Sequence, residues 1–204
     1  MDYVIELGRR QRKRQALHQH LLDSAAGLFL ERGIARTTVE DIAEAADVAR
    51  QTVFNHFPYK EALALELAAA GVQKIAHQAH VLLEAGESAL DVLERSSRWL
   101  LDTAITQGEL AVVVARELMH PDRDRAMRAA EHVPLTHVFE AILLQAREEH
   151  AVRQDLPVSV IANRMTGVLV SILAQVTTED PSELRRELAV CFDILFNGIT
   201  ERRT

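Results

Sequence analysis

A single cysteine, Cys191, stands in 204 residues. That excludes a disulfide within the chain and fits a reducing compartment, so a cytoplasmic protein is expected. Aromatic residues make up only 4%, which leaves the core to aliphatic side chains. No stretch approaches the roughly 18 uninterrupted apolar residues that a membrane span requires, so no membrane partner is expected. Residues 1–14 hold no apolar segment followed by a small-residue cleavage site, and no secretory leader is expected. The chain also lacks a glycine-rich phosphate loop, a Cys-x-x-Cys pair, a His-Glu-x-x-His run and a nucleophile elbow. No enzyme activity and no cofactor is expected from such a sequence.

What is present points to helices. Hydrophobic residues make up 48% of the chain, and Ala, Leu and Glu are abundant, which favours an all-α fold. The net charge is −7, but it is unevenly spread. Residues 1–60 carry nine Lys/Arg and eight Asp/Glu, whereas the remainder carries 14 and 22. Arg9, Arg10, Arg12, Lys13 and Arg14 form a basic arm at the leading end. An acidic body with a basic leading segment is the asymmetry expected when one end meets a polyanion.

Along the chain, Leu17, Leu21, Leu22, Ala25, Leu28 and Phe29 recur at helical spacing from about Arg14 to Arg32, and Gly33 stops that helix. The basic arm before it is expected to be mobile. Thr37, with Glu40 three residues on, reads as a capping box that opens a second helix running to about Ala45. Asp47 suits the left-handed turn that follows. A short third helix from Arg50 to His56 is ended by Pro58, which drives Phe57 out of helical geometry. Further helices are expected at Tyr59–Ala85, Glu87–Thr106 and Glu109–Met119. Pro121 is expected in the first turn of a seventh, and Pro134 should split it into pieces near 121–132 and 134–150. The last two run from about Val158 to Val176 and from Ser182 to Arg202. The count is nine to ten.

Helices one to three read as a trihelical unit, and the second and third have helix-turn-helix spacing. In such a unit the second helix of the pair enters the major groove. Arg50, Gln51, Thr52 and Asn55 are the side chains suited to base edges. Thr38 at a helix N-terminus, together with Phe54, His56, Tyr59 and Lys60, is placed to meet phosphates. Two domains follow: residues 1–60 for DNA, and 61–204 as a helical body.

The run from Thr37 to Ala46, then Val48, then Arg50-Gln51-Thr52-Val53-Phe54-Asn55-His56-Phe57-Pro58-Tyr59-Lys60-Glu61-Ala62-Leu63, resembles the DNA-binding domain of the tetracycline-repressor (TetR) family. The preceding Leu28-Phe29-Leu30-Glu31-Arg32-Gly33 is similar too, so about fifty residues carry the likeness. Three positions depart from the family pattern. Asp47 stands where Gly is usual, and Ala49 where a Ser or Thr caps the recognition helix. Tyr59 stands where Ser or Asn commonly caps the fourth. A missing cap costs about 0.5–2 kcal/mol, which should loosen the third helix without abolishing binding.

The resemblance implies a repressor that leaves a pseudo-palindromic operator when a small-molecule effector binds among the middle helices. It also implies a homodimer through the last two. Trp99, Met119, Phe139 and Met165 are the candidates to line an apolar pocket, with Arg116 and His137 as polar anchors. The segment from Val160 to Ala174 is apolar or small around nearly its whole circumference. Leu169, Ile172, Leu188, Phe192 and Leu195 are accordingly expected at a dimer interface. Two other readings exist. A DNA-architectural protein should be basic throughout, which the acidic body is not. A metal-responsive regulator could use His77/His80, Glu117/His120 or His137/Glu140, each pair three residues apart, yet no metal site is expected because nothing else clusters with them.

Overall fold

A computed structural model describes residues 2–199; the expected end of the last helix at Arg202 lies outside the described residues, as does the side chain of Arg9. Among the described residues there are ten helices and no β-strand. They are α1 (Asp2–Arg32), α2 (Val39–Ala45), α3 (Arg50–His56), α4 (Lys60–Glu84), α5 (Ala89–Gln107), α6 (Glu109–Leu118), α7 (Arg123–His132), α8 (Leu135–Glu148), α9 (Val158–Leu173) and α10 (Pro181–Ile199). The fold is all-α, with an N-terminal helix-turn-helix unit and a C-terminal helical domain.

The chain divides into two compact units, Met1–Leu67 and Ala68–Thr204, and the division falls inside α4. The reason lies in the first core. Leu21, Leu22 and Ala25 of α1, Ile42 and Ala43 of α2, Val53 of α3 and Phe57 pack with Ala62 and Leu63, the first turn of α4. Leu63 is fully buried there. The opening of α4 therefore belongs to the helix-turn-helix unit, and the remainder of α4 to the body.

Where the backbone turns, a local cause is present. Gly33 (φ 83°) and Gly108 (φ 49°) end α1 and α5 in the left-handed region that glycine adopts without strain. Pro134 separates α7 from α8. Two boundaries differ from expectation. Pro121 lies outside α7, whose N-cap is Asp122; its carboxylate accepts from the backbone N–H of Asp124 and Arg125. A side-chain acceptor satisfies the orphan donors that Pro121 cannot address. The basic run is also not a separate arm, because α1 begins at Asp2 and passes through it without a break. Its Gln, Arg, Lys and Leu residues are good helix formers, and Pro is absent from this stretch.

The body has its own core. Leu93 and Leu101 of α5, Phe139, Ile142 and Leu143 of α8, and Met165, Leu169 and Ile172 of α9 are its largest fully buried side chains. Buried Glu117 of α6 accepts two hydrogen bonds from Arg125 of α7, both 2.6 Å. A buried carboxylate is tolerable only with such a partner.

Candidate nucleic-acid interface

The helix-turn-helix is assembled by polar contacts at its joints. Thr38, not Thr37, is the N-cap of α2. Its hydroxyl accepts from the Asp41 N–H at 3.1 Å, and the Asp41 carboxylate accepts in return from the Thr38 N–H at 2.7 Å. Donation to the carboxylate from the Thr38 hydroxyl, also 2.7 Å away, and from the Thr38 N–H holds the Asp41 carboxyl below its ordinary pKa, with Arg32 adding to the effect. Thr37 is buried instead, and its hydroxyl donates to the Gly33 carbonyl at 2.8 Å, closing the turn after α1. Two adjacent threonines thus serve two different ends, and the capping pair is Thr38 with Asp41, one residue along from Thr37 with Glu40.

The turn into α3 is tight. Asp47 takes φ 51°, and the Val48 N–H donates to the Ala43 carbonyl at 2.9 Å. Ala49 caps α3 with no side-chain hydrogen bond. What anchors α3 is apolar: Val53 and Phe57 are buried in the first core. That leaves Arg50, Gln51 and Asn55 exposed, with Thr52 and Phe54 half-buried.

The outward side chains are not independent of one another. Gln51 donates to the Asn55 side-chain oxygen at 3.2 Å. The Arg50 guanidinium lies over the Phe54 ring, 5.2 Å from its centroid, and its Nε is 2.8 Å from a Glu40 carboxylate oxygen. Donors of this kind, on a helix short enough to enter a major groove, suit base edges. Arg10, Arg12, Lys13 and Arg14 are exposed along α1.

Three residues expected on phosphates have other partners. Lys60 donates through Nζ to the carbonyls of Ile34 at 2.7 Å and Thr37 at 2.9 Å, tying α4 to the turn before α2. An ammonium has three donors, so one remains for a phosphate. His56 is half-buried and turned toward α1, its Nδ1 3.4 Å from Nδ1 of His18. His18 stacks on Phe57 with ring centroids 4.6 Å apart, and its Nε2 lies 2.6 Å from the Glu66 carboxylate. Burial chiefly, then the neighbouring His18 and Arg14, pushes the His56 pKa below the usual imidazole value. Tyr59 packs half-buried against the first core. Nothing in the local period of α3 signals His18 or Glu66, because both come from other helices.

In the body, the six expected pocket residues do not converge. Phe139 and Met165 are fully buried, and Met119 is 60% exposed. Arg116 is exposed, while Trp99 is half-buried beneath the Arg95 guanidinium. Two cavities open in the body, and among their lining residues only His137 belongs to the six. One, of about 380 Å³, lies between α4 and α8 and is lined by Val72, Ala76, Leu83, Val138 and Ile142, with His80 and His137 among its polar groups. The other, of about 580 Å³, lies between α5 and α10 against Leu101, Leu188, Phe192 and Phe196. Arg185 and Asp102 pair beside it at 2.9 Å.

The expected dimer residues are likewise mostly internal. Leu169, Ile172, Leu188 and Phe192 are buried within the protomer, and Leu195 is half-buried. On α9 and α10 the large apolar residues facing outward are Val160, Val190 and Ile194. A helical stripe reveals that a face is apolar but not what covers it. Among the described residues no group of three or more His, Cys, Asp or Glu is placed to hold a metal ion. Glu117 is committed to Arg125. No helix among the described residues is long and apolar enough to cross a membrane.

Comparison with known proteins agrees with this architecture. Residues 21–67 match the bacterial regulatory proteins of the tetR family, and residues 69–198 match the C-terminal domain of TetR/AcrR family transcriptional repressors. The HTH-type transcriptional regulator TcmR of Streptomyces glaucescens is 38% identical over 103 residues, half of this chain and 45% of that protein. The chain thus spans about half the length of the first curated relatives it matches. The transcriptional repressor DhaR of a Mycobacterium species (strain GP1) is 25% identical over 89% of this chain and 93% of its own. The solved structure of Thermus thermophilus FadR, a TetR family repressor in complex with lauroyl-CoA, superposes with a TM-score of 0.84 at 29% identity, covering 92% of this chain and 97% of that one. With both units matched in chain order, the protein belongs to the TetR family of bacterial transcriptional regulators.

Proposed function

We propose that the protein is a homodimeric repressor that reads a pseudo-palindromic operator through α3 and leaves it when a small molecule binds the body. The observation that carries this reading is the surface of α3. Val53 and Phe57 are buried beneath it, while Arg50, Gln51 and Asn55 stand outward as donors. Arg50 suits guanine, Gln51 and Asn55 suit adenine, and Thr52 offers a methyl to thymine. Arg10, Arg12, Lys13 and Arg14 of α1, and the third N–H of Lys60, add phosphate contacts.

Two copies are needed to read a two-fold site, with recognition helices roughly 34–36 Å apart on one face of B-DNA. Val190 is 59% and Ile194 65% exposed on α10. Large apolar residues left in water on neighbouring turns of one helix mark a contact surface. A second protomer covering α9 and α10 is the occupant we assign, with Gly167 and Ser171 on the exposed face of α9 permitting close approach.

The α4/α8 cavity is the proposed effector site. Its walls are largely aliphatic, with hydrogen-bonding groups from Gln73, His80, His137 and Gln145 and one carboxylate, Glu84. That mixture favours a largely apolar molecule with a few polar atoms. Thermus FadR was solved with lauroyl-CoA, which makes a fatty acyl-CoA the first probe. Because α4 begins in the helix-turn-helix core, an effector preferring one placement of α4 shifts the equilibrium of the reading head. Coupling of this kind is typically about 1–3 kcal/mol and is reciprocal. The test is retardation of the DNA upstream of the protein's own gene, followed by effector affinity measured with and without saturating operator. Operator should weaken the effector by the same factor by which effector weakens operator. Equal affinities overturn the switch and leave the DNA reading standing.

A further inference from the structure

We propose that Glu40 of α2 is a specificity-determining residue: it positions Arg50 for base recognition and, at the same time, discourages binding to DNA of arbitrary sequence. This rests on the assignment of α3 as the reading helix. Arg50 occupies the first position of α3, whose N-cap Ala49 supplies no side-chain oxygen and whose first turn contains no acid. The positive end of a helix disfavours a cation there. The compensating charge comes from a different helix. A Glu40 oxygen lies 2.8 Å from Arg50 Nε, and the Phe54 ring supports the guanidinium at 5.2 Å.

Held by a carboxylate and an aromatic face, Arg50 loses much of the rotamer freedom that an exposed arginine would otherwise give up only on binding. Preorganisation of this kind favours the one geometry in which the fork fits its target. With Nε committed to Glu40, contact with guanine O6 and N7 falls to the two Nη nitrogens. Glu40 is not needed by the fold of its own helix, since Thr38 and Asp41 complete the cap of α2 without it. It stands in the first turn of α2, where its negative charge faces the approach of DNA phosphates. On a scrambled duplex its charge opposes the phosphates with nothing in return, whereas on the preferred duplex the base contact of the Arg50 it holds offsets that repulsion. Specificity is a difference of affinities, and this residue widens it from both sides.

The experiment selects preferred duplexes from a random library with the wild-type protein. It then compares the best duplex with a scrambled one of equal composition for wild type, Glu40→Gln, Glu40→Asp, Arg50→Ala and Glu40→Gln/Arg50→Ala. Glu40→Gln should raise affinity for the scrambled duplex several-fold, most at low salt, and cut the specificity ratio by about fivefold or more, at the base pairs where Arg50→Ala also loses preference. Glu40→Asp keeps the charge but shortens the reach, so it should lose discrimination without gaining non-specific affinity. The double variant should discriminate no worse than Arg50→Ala. An unchanged ratio in Glu40→Gln, a loss spread over all base pairs, or a further loss in the double variant overturns the proposal. A wild-type protein that selects no sequence at all overturns the DNA reading, and this inference with it.

Discussion

The proposed reading head and the proposed dimer face are both exposed on the protomer, but their chemistry is opposite. On α3 the exposed groups are polar and already satisfied among themselves: Gln51 with Asn55, Arg50 with Glu40 and Phe54. On α10 the large exposed apolar side chains are Val190 and Ile194, which have no hydrogen-bonding groups to pair. A polar face with internal partners is comfortable in water; Gln51 and Asn55 can exchange each other for bases, while Arg50 keeps Glu40 and offers its Nη nitrogens. An apolar face is stable only when something excludes water from it. One surface is therefore built for reversible exchange, the other for lasting cover, and the difference ranks the effects of changing them.

The sharpest way to break the comparison is to charge the apolar face. Ile194→Asp should convert the dimer to monomer in light scattering. It should reduce operator affinity by on the order of 10²-fold or more, because linkage between two half-sites is lost. A dimeric Ile194→Asp protein with full affinity would put the subunit contact elsewhere. On the polar face, Arg50→Ala or Gln51→Ala should cost about 1–3 kcal/mol at particular base pairs and leave others unchanged. A uniform loss across sequences in a binding-site selection would reassign these residues to the backbone.

Smaller effects test the scaffold beneath. Ala49 leaves α3 without a side-chain cap. Ala49→Ser should raise stability by about 0.5–2 kcal/mol in urea unfolding. No gain would mean that the α3 N-terminus is already satisfied by another route.

The smallest effect is that of pH on His56. Its folded pKa is lowered below 6.5 by burial, His18 and Arg14, so below that value the unfolded chain binds more protons than the folded one. The stability tied to neutral His56 is present above pH 6.5 and is lost as pH falls from there through the lowered folded value. Glu66 faces the same cluster through His18. Melting temperature should drop less on going from pH 7.5 to 5.5 in His56→Gln than in wild type. Equal drops would show that this imidazole does not couple to folding.

Sequence by itself determined the elements and their stops. Gly33, Asp47, Pro58 and Pro134 act through the sterics of their own or an adjacent backbone position, so each could be read without knowing the fold. The identity of α3 and its outward donors was legible for the same reason: a seven-residue helix has few faces, and Val53 and Phe57 claim the inner one. Tertiary structure decided everything that depends on a residue distant in the chain. It turned His56 toward His18, gave Lys60 two carbonyls and joined Glu40 to Arg50. It buried Leu169, Ile172, Leu188 and Phe192 inside the protomer and left Val190 and Ile194 outside. Helical periodicity specifies which side chains share a stripe, whereas which stripe is covered, and by what, depends on how helices far apart in the chain pack together.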